Sequence, residues 1–389
     1  MNILAIETSC DETALALLSV TERGDDVEFN VLGDALYSQA KLHSEYGGVY
    51  PTLAKREHQK NLVPLTVRAL TQANLFHPSE KALETLSQDF ENIREEEFKH
   101  EVEKFLAHTT KPDIDVIAVT HGPGLEPALW TGVSFAEAMG QAWGIPVIGI
   151  NHMEGHIVSA LVSSVDTKTY TLPKPQFPVL ALLISGGHTE LVAMNDWFSY
   201  SLVGKTKDDA VGEAFDKTAR LLGLSYPGGP QIDIYAARAE EKKEENTITL
   251  PRPLIHEDSC NFSFSGLKTA VLYLVNKIGT VSETDKEHIA NEFQHAVSDV
   301  LVSKTQRALE QTGAKTLVIG GGVSANTFIR NAIATMVTEH FPETQFSTPP
   351  PKLTGDNAIM IGIAAGMRQV HNIPHTNEAL CAQGSLTLT

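Results

Sequence analysis

The chain has 389 residues, more than one hydrophobic core usually organises, so two domains or lobes are expected. Its composition, 42% apolar and 20% charged, is that of an ordinary globular protein and excludes a disordered or fibrous chain. Lys and Arg number 30 against 48 Asp and Glu, a net charge of −18, which excludes a uniformly basic nucleic-acid binder; a polyanion would need a local cluster of cations or a partner's help.

In chain order, "NILAIETS" and "ALALLSV" read as two strands flanking the polar turn "CDET". "HQKNLVPLTVRALTQANL" carries apolar residues near the helical period. The highly charged stretch after it has Phe90, Ile93, Phe98, Val102 and Phe105 at helical spacing. It reads as a peripheral, solvated helical insertion over about residues 87–110, with a partner-docking surface as the other reading. "DIDVIAVT" is a buried-strand run, "GPGLEPALWTGVSFAEAMGQAWG" a turn leading into a helix, and "IPVIGI" another strand. "FPVLALLISGGHTELVAMN" repeats the hairpin pattern of the N-terminus. "GEAFDKTARLLGLSYPGGPQID" is an amphipathic helix ended by a rigid turn, and "KTLVIGGGVSANTFIRNAIATMV" is strand, glycine loop, helix. "GDNAIMIGIAAGMRQV" closes the chain's pattern with a helix of small residues suited to close packing.

Strands alternating with helices predict an α/β fold, and two hairpin-led halves predict a duplicated two-lobed architecture with the ligand between the lobes. The expected division is an N-terminal lobe over 1–150, carrying the insertion and joined by the segment about 357–389, and a C-terminal lobe over 151–356. No apolar run is long enough to span a membrane, and "MNILAIETS" has no basic region of a secretory signal. Cys10, Cys260 and Cys381 are scattered and odd in number, which fits a reducing compartment rather than a disulfide framework.

Two segments carry ligand-binding chemistry. "ISGGHTE" (184–190) and "GGGVSAN" (320–326) set glycines directly after apolar strands, where the backbone can approach a phosphate or sugar with no Cβ in the way. Neither is a Walker A loop, and the chain has no G-x-G-x-x-G fingerprint. Asp216 and Asp233 could accept hydrogen bonds from ribose hydroxyls or an amine, or serve as capping and surface aspartates.

"NHMEGH" raises a different possibility. His152 and His156, four apart, share one face of a helix and can converge on a metal ion, or can be structural histidines. A zinc-protease helix needs glutamate directly after the first histidine, and Met153 holds that place, with Glu154 one step further round. Asp356 offers a third ligand; two imidazoles and a carboxylate with open positions suit iron(II) or zinc.

Taken together, "ETSCDET", "YSQAKLHSEYGGVYP", "THGPGL", "NHMEGH", "LLISGGHTEL", "GEAFDKTARLLGL", "FSFSGLKTA", "GGVSAN" and "GDNA" stand in the order found in the bacterial TsaD family. The chain resembles these tRNA N6-adenosine threonylcarbamoyltransferases, once described as O-sialoglycoprotein endopeptidases, from Met1 to about Gly366. The resemblance implies an actin/Hsp70/sugar-kinase fold of two duplicated RNase H-like domains. It implies transfer of a threonylcarbamoyl group from threonylcarbamoyl-AMP to the exocyclic amine of the adenosine 3′ of the anticodon, in tRNAs reading ANN codons. It makes His152, His156 and Asp356 ligands of one Fe(2+) or zinc ion per subunit. Leu183, Ile184, Ser185, Gly186, Gly187, Asp216, Gly229, Asp233 and Asn326 become the site for the adenylate, and Glu12 matches an acidic position near the reaction centre. TsaB-like and TsaE-like helper proteins, and a cytoplasmic location, follow from the same resemblance. The chain departs from the family at Thr52, where glutamate is usual, and in the length of its charged stretch. It also has no tyrosine before "SGG", so no phenolic ligand is expected. The rival readings are a metal-dependent protease, which the histidine pair favours and Met153 opposes, and a non-catalytic nucleotide-binding scaffold, which would lack the histidines and Asp356.

Overall fold

The computed structural model describes residues 1–79, 90–242, 246–374 and 380–388. Two compact units emerge: Met1–His43, Val49–Lys174 and Asp356–Leu388 form the first, and Ser44–Gly48 with Pro175–Gly355 form the second.

In the first unit, β1 (Asn2–Glu7), β2 (Glu12–Arg23) and β3 (Asp26–Ser38) make an antiparallel meander, followed by the short α1 (Ala40–Ser44) and the long α2 (Pro51–Gln72). Then come α3 (Glu96–Ala107), β4 (Val116–Gly122), α4 (Glu126–Trp143), β5 (Val147–Asn151), α5 (His152–Ser159), β6 (Ser163–Ser164) and β7 (Thr169–Leu172). The sheet runs β5-β4-β1-β2-β3-β7-β6, with β4 and β5 parallel to β1. Central strands covered on both faces need no polar side, which is why β1 and the first half of β2 read as near-continuous apolar runs.

The second unit repeats the scheme. It contains β8 (Val179–Ile184), β9 (Thr189–Asp196), β10 (Ser199–Lys205), α6 (Val211–Leu221), α7 (Gly228–Lys242), α8 (Ser265–Ile278), α9 (Glu283–Thr312), β11 (Thr316–Gly320), α10 (Thr327–His340) and β12 (Gln345–Ser347). Its sheet order is β10-β9-β8-β11-β12, three antiparallel strands followed by two parallel ones. That matches β3-β2-β1-β4-β5 strand for strand, the duplicated unit of the actin/Hsp70/sugar-kinase fold. The chain then returns to the first unit as α11 (Ala358–Val370).

The first unit extends to Lys174, past the expected boundary at 150, because β7 pairs with the edge of β3 through Val27 opposite Leu172 and Phe29 opposite Tyr170. The charged stretch also differs from expectation. Residues 87–89 of the expected insertion lie outside the described residues, but Phe90, Ile93, Phe98, Val102 and Phe105 are all buried in the core of the first unit. Phe98 packs on Phe135 of α4 and Phe105 meets Trp143 edge-on, with centroids 6.1 and 6.0 Å apart. The stretch is amphipathic: its charges face water while its apolar stripe is core, so it is not peripheral.

Two close approaches set the layers. Gly33, beside the bulge where β3 shifts register against Leu17 and Leu18, lies under α2; a Cβ there would stand 2.2 Å from the carbonyl oxygen of Ala69. In α11, Gly362 and Gly366 admit Leu18 and Phe29 from the sheet, where a Cβ would come within 2.4 and 2.8 Å of them. A salt bridge fastens α11 to α5: the Nε and Nη2 of Arg368 donate to the two carboxylate oxygens of Glu154 at 2.5 and 2.9 Å, and the Glu154 side chain is 1% exposed.

Gly33→Ala forces a methyl group against backbone that cannot move aside, and should cost about 1–3 kcal/mol in urea denaturation; an unchanged midpoint would mean that α2 shifts freely. Arg368→Met leaves the Glu154 carboxylate buried without its partner, a loss on the order of 3 kcal/mol. The double variant Glu154→Leu/Arg368→Met should recover much of that stability. If it is no more stable than the single variant, the pair is not what fastens the two helices.

Candidate metal centre and nucleotide pocket

The N-terminus of α5 is fixed by its cap. Asn151, the last residue of β5, accepts hydrogen bonds from the Met153 and Glu154 amides at 2.9 and 3.4 Å, which makes His152 the first helical residue. Its side-chain amide donates to the Thr387 carbonyl at 3.3 Å, so the chain's last described segment braces the same turn. One helical turn on, His156 presents its ring edge-on to that of His152, with centroids 4.7 Å apart.

Both Nε2 atoms face one oxygen. Asp356 Oδ1 lies 3.4 Å from His152 Nε2 and 3.2 Å from His156 Nε2, and one ligand atom from each of the three residues falls within 4.8 Å of the others. Asp356 is held at the mouth of α11, where Asn357 caps the helix by accepting from the Met360 amide at 2.9 Å. Ligand atoms about 2.1 Å from an ion, at angles between octahedral and tetrahedral, stand about 3.0–3.4 Å apart. The three side chains therefore fit a metal ion.

The sequence reading missed Glu7. Fully buried at the end of β1, it accepts from His152 Nδ1 at 3.0 Å, from Thr120 Oγ1 at 2.6 Å and from the Ser9 amide at 2.5 Å. By accepting the Nδ1–H of His152, Glu7 leaves Nε2, which faces Asp356, as the nitrogen that would give its lone pair to a bound cation. The one local signal was a carboxylate ending an apolar strand run, "NILAIE". Burial alone would raise the Glu7 and Asp356 carboxyls, but the neighbouring His152 imidazole holds both below their ordinary values. Burial opposes charging His152 as well, yet the two carboxylates raise its pKa well above that of a free imidazole, while burial pushes His156 down.

Glu12 opens β2 beside this cluster but is not one of the three converging ligands. Ser38 Oγ donates to it at 2.9 Å. Burial, then the charges of Asp11 and Asp356, raise its pKa to about 9, so in the absence of a cation it carries a proton at neutral pH. Thr52, the position that departs from the family, lies exposed in the first turn of α2.

The second unit holds a cavity of about 400 Å³. Gly186, Asp216, Gly229, Asp233 and Asn326 line it, five of the nine residues expected at the adenylate site, together with Phe215 and Gly322. Leu183 and Ile184 do not line it: they are fully buried core positions at the end of β8, paired with β9 and β11. Ser185 and Gly187 shape the adjoining turn, with Ser185 Oγ accepting from the Gly187 and His188 amides at 3.3 and 3.1 Å. The two glycine loops touch. Gly321 has a φ of +89°, and a Cβ there would be 2.5 Å from the Ile184 carbonyl oxygen. Asp216 has a structural task too: its Oδ1 accepts from the Gly228 amide at 2.7 Å, tying the "YPGGP" turn to α6.

Residues 30–78 and 95–363 match the profile of TsaD, tRNA N6-adenosine threonylcarbamoyltransferase. The match resumes at residue 95, so α3 lies within it, and the stretch outside the profile is 79–94 rather than the expected 87–110. The tRNA N6-adenosine threonylcarbamoyltransferase of Herminiimonas arsenicoxydans is 42% identical over 374 residues, covering 95% of this chain and 92% of that protein. That of Methylobacillus flagellatus is 42% identical over 377 residues, covering 95% and 94%. Among solved structures, component A of the (R)-2-hydroxyglutaryl-CoA dehydratase of Acidaminococcus fermentans aligns at 12% identity and a TM-score of 0.45, covering 94% of this chain and 96% of that one. With a profile spanning most of its length and relatives aligned almost end to end, the chain belongs to the TsaD family of tRNA N6-adenosine threonylcarbamoyltransferases.

Proposed function

We propose that this chain transfers the threonylcarbamoyl group of threonylcarbamoyl-AMP to the exocyclic amine of the adenosine 3′ of the anticodon, in tRNAs reading ANN codons. The observation that carries the reading is the convergence of His152, His156 and Asp356 on one point, with Glu7 fixing the tautomer of the first. The nucleotide end of the donor is assigned to the glycine-lined cavity of the second unit, and its carbamoyl end to the histidine centre of the first. An iron(II) ion, or zinc in its place, held by the three ligands would supply Lewis acidity toward the carbamoyl carbonyl. Backbone amides of the glycine loops are suited to the phosphate, since they can approach it without steric hindrance. Glu12, close to the centre, is the group we assign to take the proton of the attacking amine, a role open to it once a bound cation offsets the charges of Asp11 and Asp356 and leaves it ionised. With a net charge of −18, gripping tRNA calls for helper proteins of the TsaB and TsaE kinds, working in the cytoplasm.

A metalloprotease helix of the zinc type would use a helix glutamate as its base. Glu154, the nearest candidate in the helix, has both oxygens bound by Arg368. A scaffold subunit would need neither the histidines nor Asp356.

The direct test is mass spectrometry of tRNA nucleosides after incubation with threonylcarbamoyl-AMP and the helper proteins. Threonylcarbamoyladenosine should form with the wild type. Chelator-sensitive cleavage of casein with no modified nucleoside would sink the transferase reading. His152→Ala with His156→Ala should strip bound metal, as read by elemental analysis; metal content equal to wild type would refute the ligand assignment. Glu7→Gln, which leaves all three ligands in place, should weaken metal affinity by about 10–100-fold. An unchanged affinity would reduce Glu7 to a packing role.

A further inference from the structure

In the second unit, Asn326 stands where α10 begins, and every hydrogen-bonding proton on its side chain is already used. Its Oδ1 accepts from the Ile329 amide at 3.0 Å, capping the helix. One proton of its Nδ2 goes to Gln294 Oε1 at 3.0 Å and the other to Asp233 Oδ1 at 3.3 Å. A side-chain amide has two protons, so none is left for a ligand. Asn326 lines the cavity but has nothing further to donate into it.

Asp233 is in the opposite position. One of its oxygens is held by Asn326, and the other has no partner among the described residues. It lines the cavity, and burial, then the charge of Glu240, raises its proton affinity. A carboxylate oxygen in that setting accepts hydrogen bonds and suits the hydroxyls of a ribose.

Gln294 completes the chain. It projects from α9, is 3% exposed, and does not line the cavity. Because Oδ1 of Asn326 is committed to the helix cap, the plane of the amide can settle in only one way, and Gln294 satisfies the proton that points away from Asp233. Without that acceptor, a partly buried N–H has no partner and the amide turns to find one, releasing Asp233.

We propose that Gln294 is a positioning residue for nucleotide binding, acting through Asn326 to aim the Asp233 carboxylate at the ribose hydroxyls. This rests on the assignment of the cavity to the nucleotide. It makes Asp233 the reader of the sugar, and Asn326 and Gln294 its supports.

The test uses calorimetry with AMP and 2′,3′-dideoxy-AMP on the full chain. Wild type should bind AMP more tightly than the dideoxy analogue. Gln294→Met, close in size but without the acceptor, should weaken AMP about three- to tenfold and bring the ratio of the two affinities toward one. In an Asn326→Ala background the same substitution should cost nothing further, because the link is already cut. A merely structural role would weaken both nucleotides equally and leave their ratio unchanged, which would overturn the proposal while leaving the cavity's assignment intact. Additive losses in the double variant would overturn it as well. If the wild type binds neither nucleotide, the assignment of the cavity falls and the proposal falls with it.

Discussion

A single imidazole held between two carboxylates organises the first unit. His152 gives its Nδ1 proton to Glu7 and turns Nε2 to Asp356. The ring holds both carboxylates in their charged form, and each carboxylate faces one of its two nitrogens. The elements follow from this requirement. Glu7 ends β1, Thr120 supports it from β4, His152 follows β5 directly, and Asp356 stands before α11. Three parallel strands thus deliver their carboxyl ends to one place, the usual location of a site in such sheets.

The second unit places its cavity by the same rule. β8 and β11 are parallel, and their carboxyl ends open into the two glycine loops. There the strands supply backbone and close approach, where the first unit supplies imidazoles and carboxylates. One duplicated topology thus yields a cluster that fits a cation in one unit and a glycine-lined cavity in the other, and the difference lies in the residues that follow each strand.

Much of this was legible in the sequence because the signals were local. The hairpins show as paired apolar runs, the glycine loops follow them directly, and His152 and His156 lie one helical turn apart. What escaped depends on distance along the chain. Glu7 meets His152 across 145 positions and Thr120 across 113, and no spacing rule reaches so far. Gln294 looks like any polar residue on a long helix until Asn326 is seen opposite it. β3 alternates buried with partly exposed positions, β10 is mostly exposed, and both pair with a shift of register, which blurs the apolar pattern that marked β1 and β8. The charged stretch misled for another reason. Its many Glu and Lys residues suggested a solvated helix, while the aromatic stripe beneath them was core. Leu183 and Ile184, expected at the ligand, are buried at the end of β8 and do not line the cavity.

The brace on α5 bears on how the protein is made. Asn151 is tied to Thr387, 236 positions later, and His156 meets Asp356 only after another 200 residues have been added. A nascent chain therefore displays both histidines long before their third ligand leaves the ribosome. Through that interval the two imidazoles lack the Asp356 oxygen, an incomplete set for a cation. The cluster can close only once Asp356 has been added.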